Sequence, residues 1–361
     1  MPSLDDVRRQ LRALAVAGLS VEELWRRSDA TLRKLVPWDV SAWGQVDPAT
    51  LLSTGCLALG APFDSAREAV IFSLEHADGE VNRLIDLVHR TPPAGGLHAH
   101  TEGNPARSAR FGRLLEPLGL RDDVRVALMR DGFCWASLYA YRREGHFTAE
   151  EVATLGVLSG DLADGVRLSL LRADASEGAH DEPGAPGLVL VAPDGSLSAV
   201  SEAAEDWLRL LGPDGRLPSA VAALTACLWS SSPGPKDLRL QAVDGRWVVL
   251  HASHLEGAGA AVIIEAARPI EVAEVLCAAY GLSVRERDVV GLVLRGESNR
   301  AAAKALGISE HTVKEHLKSV FAKVGVLSRG ELAARLLHEH YLPRRDAGVP
   351  AAARGWFREP A

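Results

Sequence analysis

The sequence predicts a multidomain chain: a mixed α/β domain, a smaller α+β domain and a C-terminal all-α bundle of four short helices. Three observations predict it. The 361 residues exceed what a single core of ordinary size takes up. The small, polar, Pro/Gly-rich stretch ADASEGAHDEPGAPG divides two distinct patterns, as a linker does. Charge also changes along the chain. Leu282 to Leu337 carry ten Lys/Arg against six Asp/Glu, a net +4, although the whole chain is −7, so the rest carries −11. A basic module sits on an acidic body.

The N-terminal third begins with Leu4, Val7, Leu11 and Leu14 at helical spacing. Leu24, Leu32 and Leu35 mark a second helix ending before Pro37. VPWDVSAWGQVD reads as a strand, REAVIFSLEHADGEVNRLIDLVHR as one or two helices, and PPAGGLHAHTEGNPARS as loop. DVRVALMR and FCWASLYAYRR are two strands joined at Asp131-Gly132. FTAEEVATLGVLSGDLADGVRLSLLRA follows as one long helix, with a Thr148/Glu151 capping box. This α/β domain spans 1–172 and the linker 173–186. In 187–267, GLVLVAPDGSLSAVS is a strand pair, EAAEDWLRLL a helix, KDLRLQAVDGRWVVLHASHL a hairpin around Asp244-Gly245, and GAAVIIEAA a further strand. PIEVAEVLCAAYG is a connecting helix within 268–281, with Pro269 near its first turn. The bundle occupies 282–340, and the tail 341–361 reads as disordered.

The bundle carries the chemistry. Ser283 precedes Glu286 by three residues and Ser328 precedes Glu331 by three, both capping-box spacings; Ser309 can cap the helix that follows it. Gly307-Ile308-Ser309 is a three-residue link, short enough to force two helices to cross steeply. On a helical wheel, Val313, Leu317, Val320, Phe321 and Val324 gather on one face. His311, Glu315, Lys318 and Ala322 face the other way, with Lys314 on the shoulder. A charged face alone is what any solvated helix shows. Joined to the tight link, the capping serines and the net basicity, it is what a major-groove reader needs: a helix for the groove, and lysines for phosphates.

LSVRE (282–286), RGESN (295–299), LGIS (306–309), TVKEHLKSVFAKVGV (312–326) and SRGEL (328–332) resemble the DNA-binding domain of LuxR-type transcription regulators. The resemblance covers about 55 residues. It implies a four-helix domain binding double-stranded DNA as a homodimer through a recognition helix, 310–323. Carried over by position, Lys314, Glu315 and Lys318 face the groove, Thr312 and Val313 lie at helix–phosphate and helix–helix contacts, and Lys304 and Asn299 join the DNA-binding set. Glu315 suits a cytosine amino group better than a phosphate. The last helix, Ser328 to about His338, is the family's frequent dimer contact. Ala302 stands where isoleucine is common, so looser packing of the second and third helices is expected.

Further upstream, WDVSAWGQVDPATLLSTG, TEGNPARSARFGRLLEPLGLRDDVRVAL and WASLYAYRREGHFTAEEVATL resemble a GAF-type sensor, and PDGSLSAVSEAAEDWL with DGRWVVLHASHL a PAS-like module. These imply a small-molecule effector. Trp38, Trp43, Phe111, Trp135, Tyr139 and Tyr141 are the expected pocket residues, since aromatics with a polar edge enclose apolar ligands; plain core packing is the alternative. His98-x-His100 lacks a third ligand nearby, so no metal and no cofactor are expected.

Cys56, Cys134, Cys227 and Cys277 form no CxxC pair and read as reduced thiols of a cytoplasmic protein. MPSLDDVRRQ has no apolar stretch behind it, so no signal peptide is expected, and no apolar run suffices for a membrane span. Asp5-Asp6 lies in a helical pattern, which disfavours a phospho-receiver input. No GxSxG, HExxH or GxGxxG is present, so an enzyme is not expected. The reading is a ligand-responsive transcription regulator that binds two half-sites as a dimer, with RNA polymerase as a further partner. The alternatives are an adaptor that uses the helix-turn-helix fold without DNA, or an enzyme in the N-terminal domain.

Overall fold

The computed structural model describes residues 2–60, 65–172, 185–212, 217–230, 234–257 and 259–337. Most of the expected linker and all of the expected tail lie outside these residues.

Two helices, α1 (Leu4–Val16) and α2 (Val21–Leu32), open the chain, capped by Ser3 and Ser20. Next come β1 (Val40–Val46), β2 (Ser53–Leu59), α3 (Ser65–Glu75), α4 (Leu84–Leu87), β3 (Ala94–Gly96) and the single turn α5 (Leu97–His100). After irregular turns come β4 (Asp122–Arg130), β5 (Phe133–Arg142), α6 (Ala149–Val157) and α7 (Ser159–Arg172). The five strands form one antiparallel sheet in the order β2-β1-β5-β4-β3. One face packs on α1, α2 and α7 and the other on α3. Asp131 and Gly132 both take positive φ, as the tight turn between β4 and β5 requires.

Three features differ from the sequence expectation. STGCLAL is strand β2, although no alternation marks it: all seven residues are half-buried. The Gly-rich segment read as loop contributes β3 and α5. Gly95 is there for close approach rather than for a turn, since a Cβ would lie 2.4 Å from Oδ1 of Asn82. The long helix is two, α6 and α7, broken at Leu158. Ser159 Oγ donates to the carbonyl of Ala127 at 2.7 Å and accepts from the amide of Met129 at 2.8 Å, which ties the start of α7 to β4. The Thr148/Glu151 capping box is present as expected.

The second domain holds β6 (Gly187–Val191), β7 (Leu197–Val200), α8 (Glu202–Leu211), α9 (Ser219–Leu228), β8 (Asp237–Gln241), β9 (Trp247–Leu255) and β10 (Gly259–Ala266). Its antiparallel sheet, β7-β6-β10-β9-β8, repeats the order of the first. Leu238, Leu250, Val262 and Ile264 build its own core with Trp207 and Leu224 from the helices. Helix α9 also packs on α3 and β2 of the first domain. Arg239, on β8, pairs with buried Asp47 at 3.2 Å.

Helix α10 (Pro269–Ala279) leads from β10 into α11 (Val284–Leu294), α12 (Asn299–Leu306), α13 (Glu310–Val324) and α14 (Arg329–Leu337). A single apolar core runs from the α1–α2–α7 bundle through Val272, Val275 and Leu276 of α10 into these four helices. Arg167 of α7 donates to the carbonyl of Ala279 at 2.6 Å, and the Arg287 guanidinium lies 4.7 Å from the Phe133 ring centre. Among the described residues no helix is long and apolar enough to cross a membrane, and none of the four cysteines is in a disulfide.

Asp29 of α2 organises the bundle face of the first sheet. Its Oδ1 accepts from the indole N–H groups of Trp38 and Trp43, each at 3.2 Å, and from Ser41 Oγ; its Oδ2 accepts from Arg33 at 2.6 Å. Removing one buried partner leaves several donors unsatisfied. Asp29→Ala is expected to lower stability by about 3 kcal/mol, read as a shift of the urea midpoint followed by tryptophan fluorescence. A change within about 0.5 kcal/mol would contradict this account.

Candidate nucleic-acid interface

The four C-terminal helices are held at their ends by side chains. Ser283 and Glu286 form a complete capping box on α11: the amide of Glu286 reaches Ser283 Oγ at 3.3 Å, and the amide of Ser283 reaches Glu286 Oε2 at 2.7 Å. Ser309 caps α13 through the amide of Thr312 at 3.0 Å. Ser328 accepts from the amide of Glu331 at 3.1 Å, while Glu331 answers the amide of Leu327 instead of that of Ser328. Ser298 caps α12 at 3.1 Å. The capping-box pattern does not flag it, because Ala301 stands where a Glu would complete the motif.

Gly307 ends α12 with φ +67°, and its amide bonds back to the carbonyl of Ala303. An L side chain is strained in that conformation, so glycine lets the chain reverse within three residues. Val313, Leu317, Val320 and Val324 of α13 are then buried against α11 and α12. Each is worth roughly 2 kcal/mol of burial, ample to set which face points inward. Ala302 is fully buried at this seam.

Opposite that seam, Glu310, His311, Lys314, Glu315, Lys318 and Ala322 are exposed, and Lys304 is exposed on α12. Thr312 is half-buried, and its hydroxyl lies 2.8 Å from Ser309 Oγ. Val313 is fully buried in the helix–helix seam, one of the two contacts expected at this site. Asn299 is half-buried and accepts from Arg329 at 3.0 Å, which ties the start of α12 to α14. An open groove of about 480 Å³ runs along this surface, bordered by Lys314, Lys318, Asn299 and Arg329 and floored by Leu317 and Phe321. Sequence spacing did not single out Arg329, because it lies on another helix and only the fold brings it beside Lys318. Leu327, 89% exposed at the groove's end, was likewise missed.

The other end of α13 is anchored. Lys323 donates to Glu286 Oε2 at 2.7 Å and to the carbonyl of Gly281 at 3.0 Å, and Ser319 donates to Glu286 Oε1 at 2.6 Å. Lys323 is thus engaged in holding α13 to α11, and Lys314 and Lys318 are left outward.

The expected aromatic pocket is not assembled. Trp38 and Trp43 point to Asp29 on the bundle side. The β4–β5 register slips between Leu128 and Met129, a bulge that leaves Trp135 as the extra residue and sends it, with Ala136, into the bundle core. Tyr139 and Tyr141 lie on the opposite face with half-buried Phe111. Of the six, Tyr139 lines a cavity of about 320 Å³ between the first sheet, α3 and α9. Its hydroxyl donates to Glu75 at 3.1 Å, and burial pushes its pKa well up, so it stays a donor. His98 stacks on His146 at 4.1 Å, and His100 contacts Arg90 at 2.8 Å. Buried Arg110 answers Glu80 and Asp123, and buried Arg125 answers Glu75.

Residues 281–336 match the family model described as bacterial regulatory proteins, luxR family. The chain is 48% identical over 54 residues to the monoamine regulon transcriptional regulator of Klebsiella aerogenes, covering 15% of this chain and 24% of that protein. The nitrate/nitrite response regulator NarL of Escherichia coli is 35% identical over 92 residues, covering 24% and 43%. The chain thus matches well under two thirds of the length of these relatives. Among solved structures, the GAF domain of a phosphoenolpyruvate-protein phosphotransferase from Coxiella burnetii is 17% identical, covering 45% of this chain and 92% of that one, with a TM-score of 0.29. Escherichia coli SdiA is 13% identical, covering 92% and 96%, with a TM-score of 0.33. The C-terminal helices are a LuxR-type helix-turn-helix domain.

Burial pushes the Glu286 carboxyl up, but the hydrogen bonds from Lys323, Ser319 and Ser283 together outweigh it and hold it down at about 2. An unfolded glutamate titrates near ~4.3. The network's stability is therefore complete above about pH 4.3 and is lost as pH falls toward 2. Glu286→Gln should cost roughly 2–3 kcal/mol near neutral pH and almost nothing relative to the parent at the acid end of that window. Urea midpoints at several pH values, followed by helical circular dichroism, check this; equal losses at every pH would contradict it.

Proposed function

We propose that the chain is a transcription regulator, not an enzyme, which binds double-stranded DNA through the outward face of α13. One observation carries the reading: α13 buries Val313, Leu317, Val320 and Val324 and leaves Lys314, Glu315 and Lys318 exposed, with Arg329 of α14 bordering the same groove as the two lysines. The N-terminus of α13 adds partial positive charge for a phosphate. The luxR-family match supports the same reading. Lys314, Lys318, Lys304 and Arg329 are the proposed phosphate and groove contacts, Glu315 a base contact, and Thr312 a phosphate contact. Asn299 acts through Arg329.

A chain with one such helix reads half of a site. Two chains, joined through α14, would read two half-sites about one helical turn apart, roughly 10 bp. The two sheet domains serve as input, a GAF-type sensor followed by a PAS-like module. An effector there binds one arrangement of the dimer better than another and shifts its population. RNA polymerase is the downstream partner, and the cytoplasm the setting.

Lys314→Ala and Lys318→Ala are each expected to weaken binding to the chain's own upstream DNA. Each lost phosphate contact lowers the magnitude of the slope of log affinity against log salt by about one. Anisotropy titrations over a range of salt measure both quantities. Unchanged affinity in both variants would refute the assignment.

A further inference from the structure

We infer that the effector site is composite: a cavity built jointly by the first sheet domain and helix α9 of the second, taking a neutral, largely apolar small molecule with a hydrogen-bond donor. The inference rests on the proposed sensor role of the first domain and goes beyond it. It makes the second domain a wall of the site and the ligand a bridge between the two.

The cavity holds about 320 Å³, the lower end of what small-molecule sites offer. Ala42, Ser137 and Tyr139 of the first sheet form one side, and Phe72 and Glu75 of α3 another. The third side belongs to the second domain, where Ala223, Cys227 and Ser230 line it from α9 and the turn that follows, with Gly234 and Pro235 beyond. The small side chains on α9 create the space. Ala223 is 2% exposed, yet it borders a void rather than a neighbour of matching size. Gly234 closes tightly on α9, since a Cβ there would lie 2.2 Å from Cys227 Sγ.

The polar groups define the ligand's chemistry. Glu75 Oε1 accepts from Arg125 and Tyr139, and Oε2 accepts from the amide of Leu84 at 2.8 Å. A carboxylate has about four acceptor positions, so one remains for a donor on the ligand. Arg125 already neutralises Glu75, and Arg83 pairs with Asp86 at 2.9 Å. Burial lowers the pKa of His76, which keeps it neutral. With Glu75 and Arg83 already charge-paired, the acceptor position left on Glu75 favours a neutral donor on the ligand. Glu68 accepts from Ser219 Oγ of α9 at 3.2 Å, so the polar lining itself crosses between the domains.

Occupancy would stabilise the contact of α9 with α3 and β2. Because β10 of the same domain runs into α10, whose Val272, Val275 and Leu276 share the core of the DNA-binding helices, the site is wired to the reader by packing.

The test uses the full chain and the neutral fluorophore N-phenyl-1-naphthylamine, an apolar aromatic carrying one N–H. Saturable fluorescence enhancement is expected, with slowed hydrogen exchange in both α3 and α9 when the probe is bound. Ser230→Trp, at a half-buried position, should weaken the probe about tenfold, as should Ala223→Phe, each by filling the space while the circular dichroism spectrum stays that of the parent. Saturable binding with slowed exchange confined to the first domain would overturn the composite site while leaving the sensor reading intact. Absence of saturable binding would overturn the site and the sensor reading together.

Discussion

The packing of Val313, Leu317, Val320 and Val324 against α11 and α12 decides which way α13 faces, and the other functional features are referred to that orientation. The stripe is continuous, so a helix rotated by even one position would expose valines and bury lysines. Gly307 sets the crossing, and Glu286 fixes the far end through Lys323 and Ser319. The burial of apolar area supplies the energy, and the hydrogen bonds supply the register.

That orientation is shared with the rest of the chain. Helix α10 is buried on several sides at once, against α7 of the first domain and α14 of the last. The C-terminal helices are therefore seated on the first domain by Arg287 over Phe133 of the β4–β5 hairpin, and α10 by Arg167 of α7 on the Ala279 carbonyl, rather than tethered by a loose segment. Lys314 and Lys318 of α13 are exposed. An input that alters the first domain thus has a packed route to the reader, without uncovering a hidden surface.

Much of this was legible in the sequence where the physics is local. Capping serines, glycine after the last turn of α12, and the Asp131-Gly132 and Asp244-Gly245 turns each act over three or four residues, and each appears in the structure. The helical stripe of α13 was legible for the same reason. What failed depends on contacts distant in sequence. Trp135 shares its parity along β5 with Tyr139 and Tyr141, and a single bulge sends it to the other face. Trp38 and Trp43 both donate to Asp29, a partner that neither strand pattern nor composition points to. Arg329 and the α9 wall enter their sites only through tertiary packing. A half-buried strand such as β2 carries no alternation to detect.

The account turns on a helix that enters the major groove. Guanine N7 lies in that groove, so methylation of N7 by dimethyl sulfate reports occupancy there directly. With the purified full chain on its own upstream DNA at modest salt, the account predicts protection of N7 at guanines in two clusters about one helical turn apart. DNA that is bound with every N7 equally reactive, or not bound at all, would contradict it.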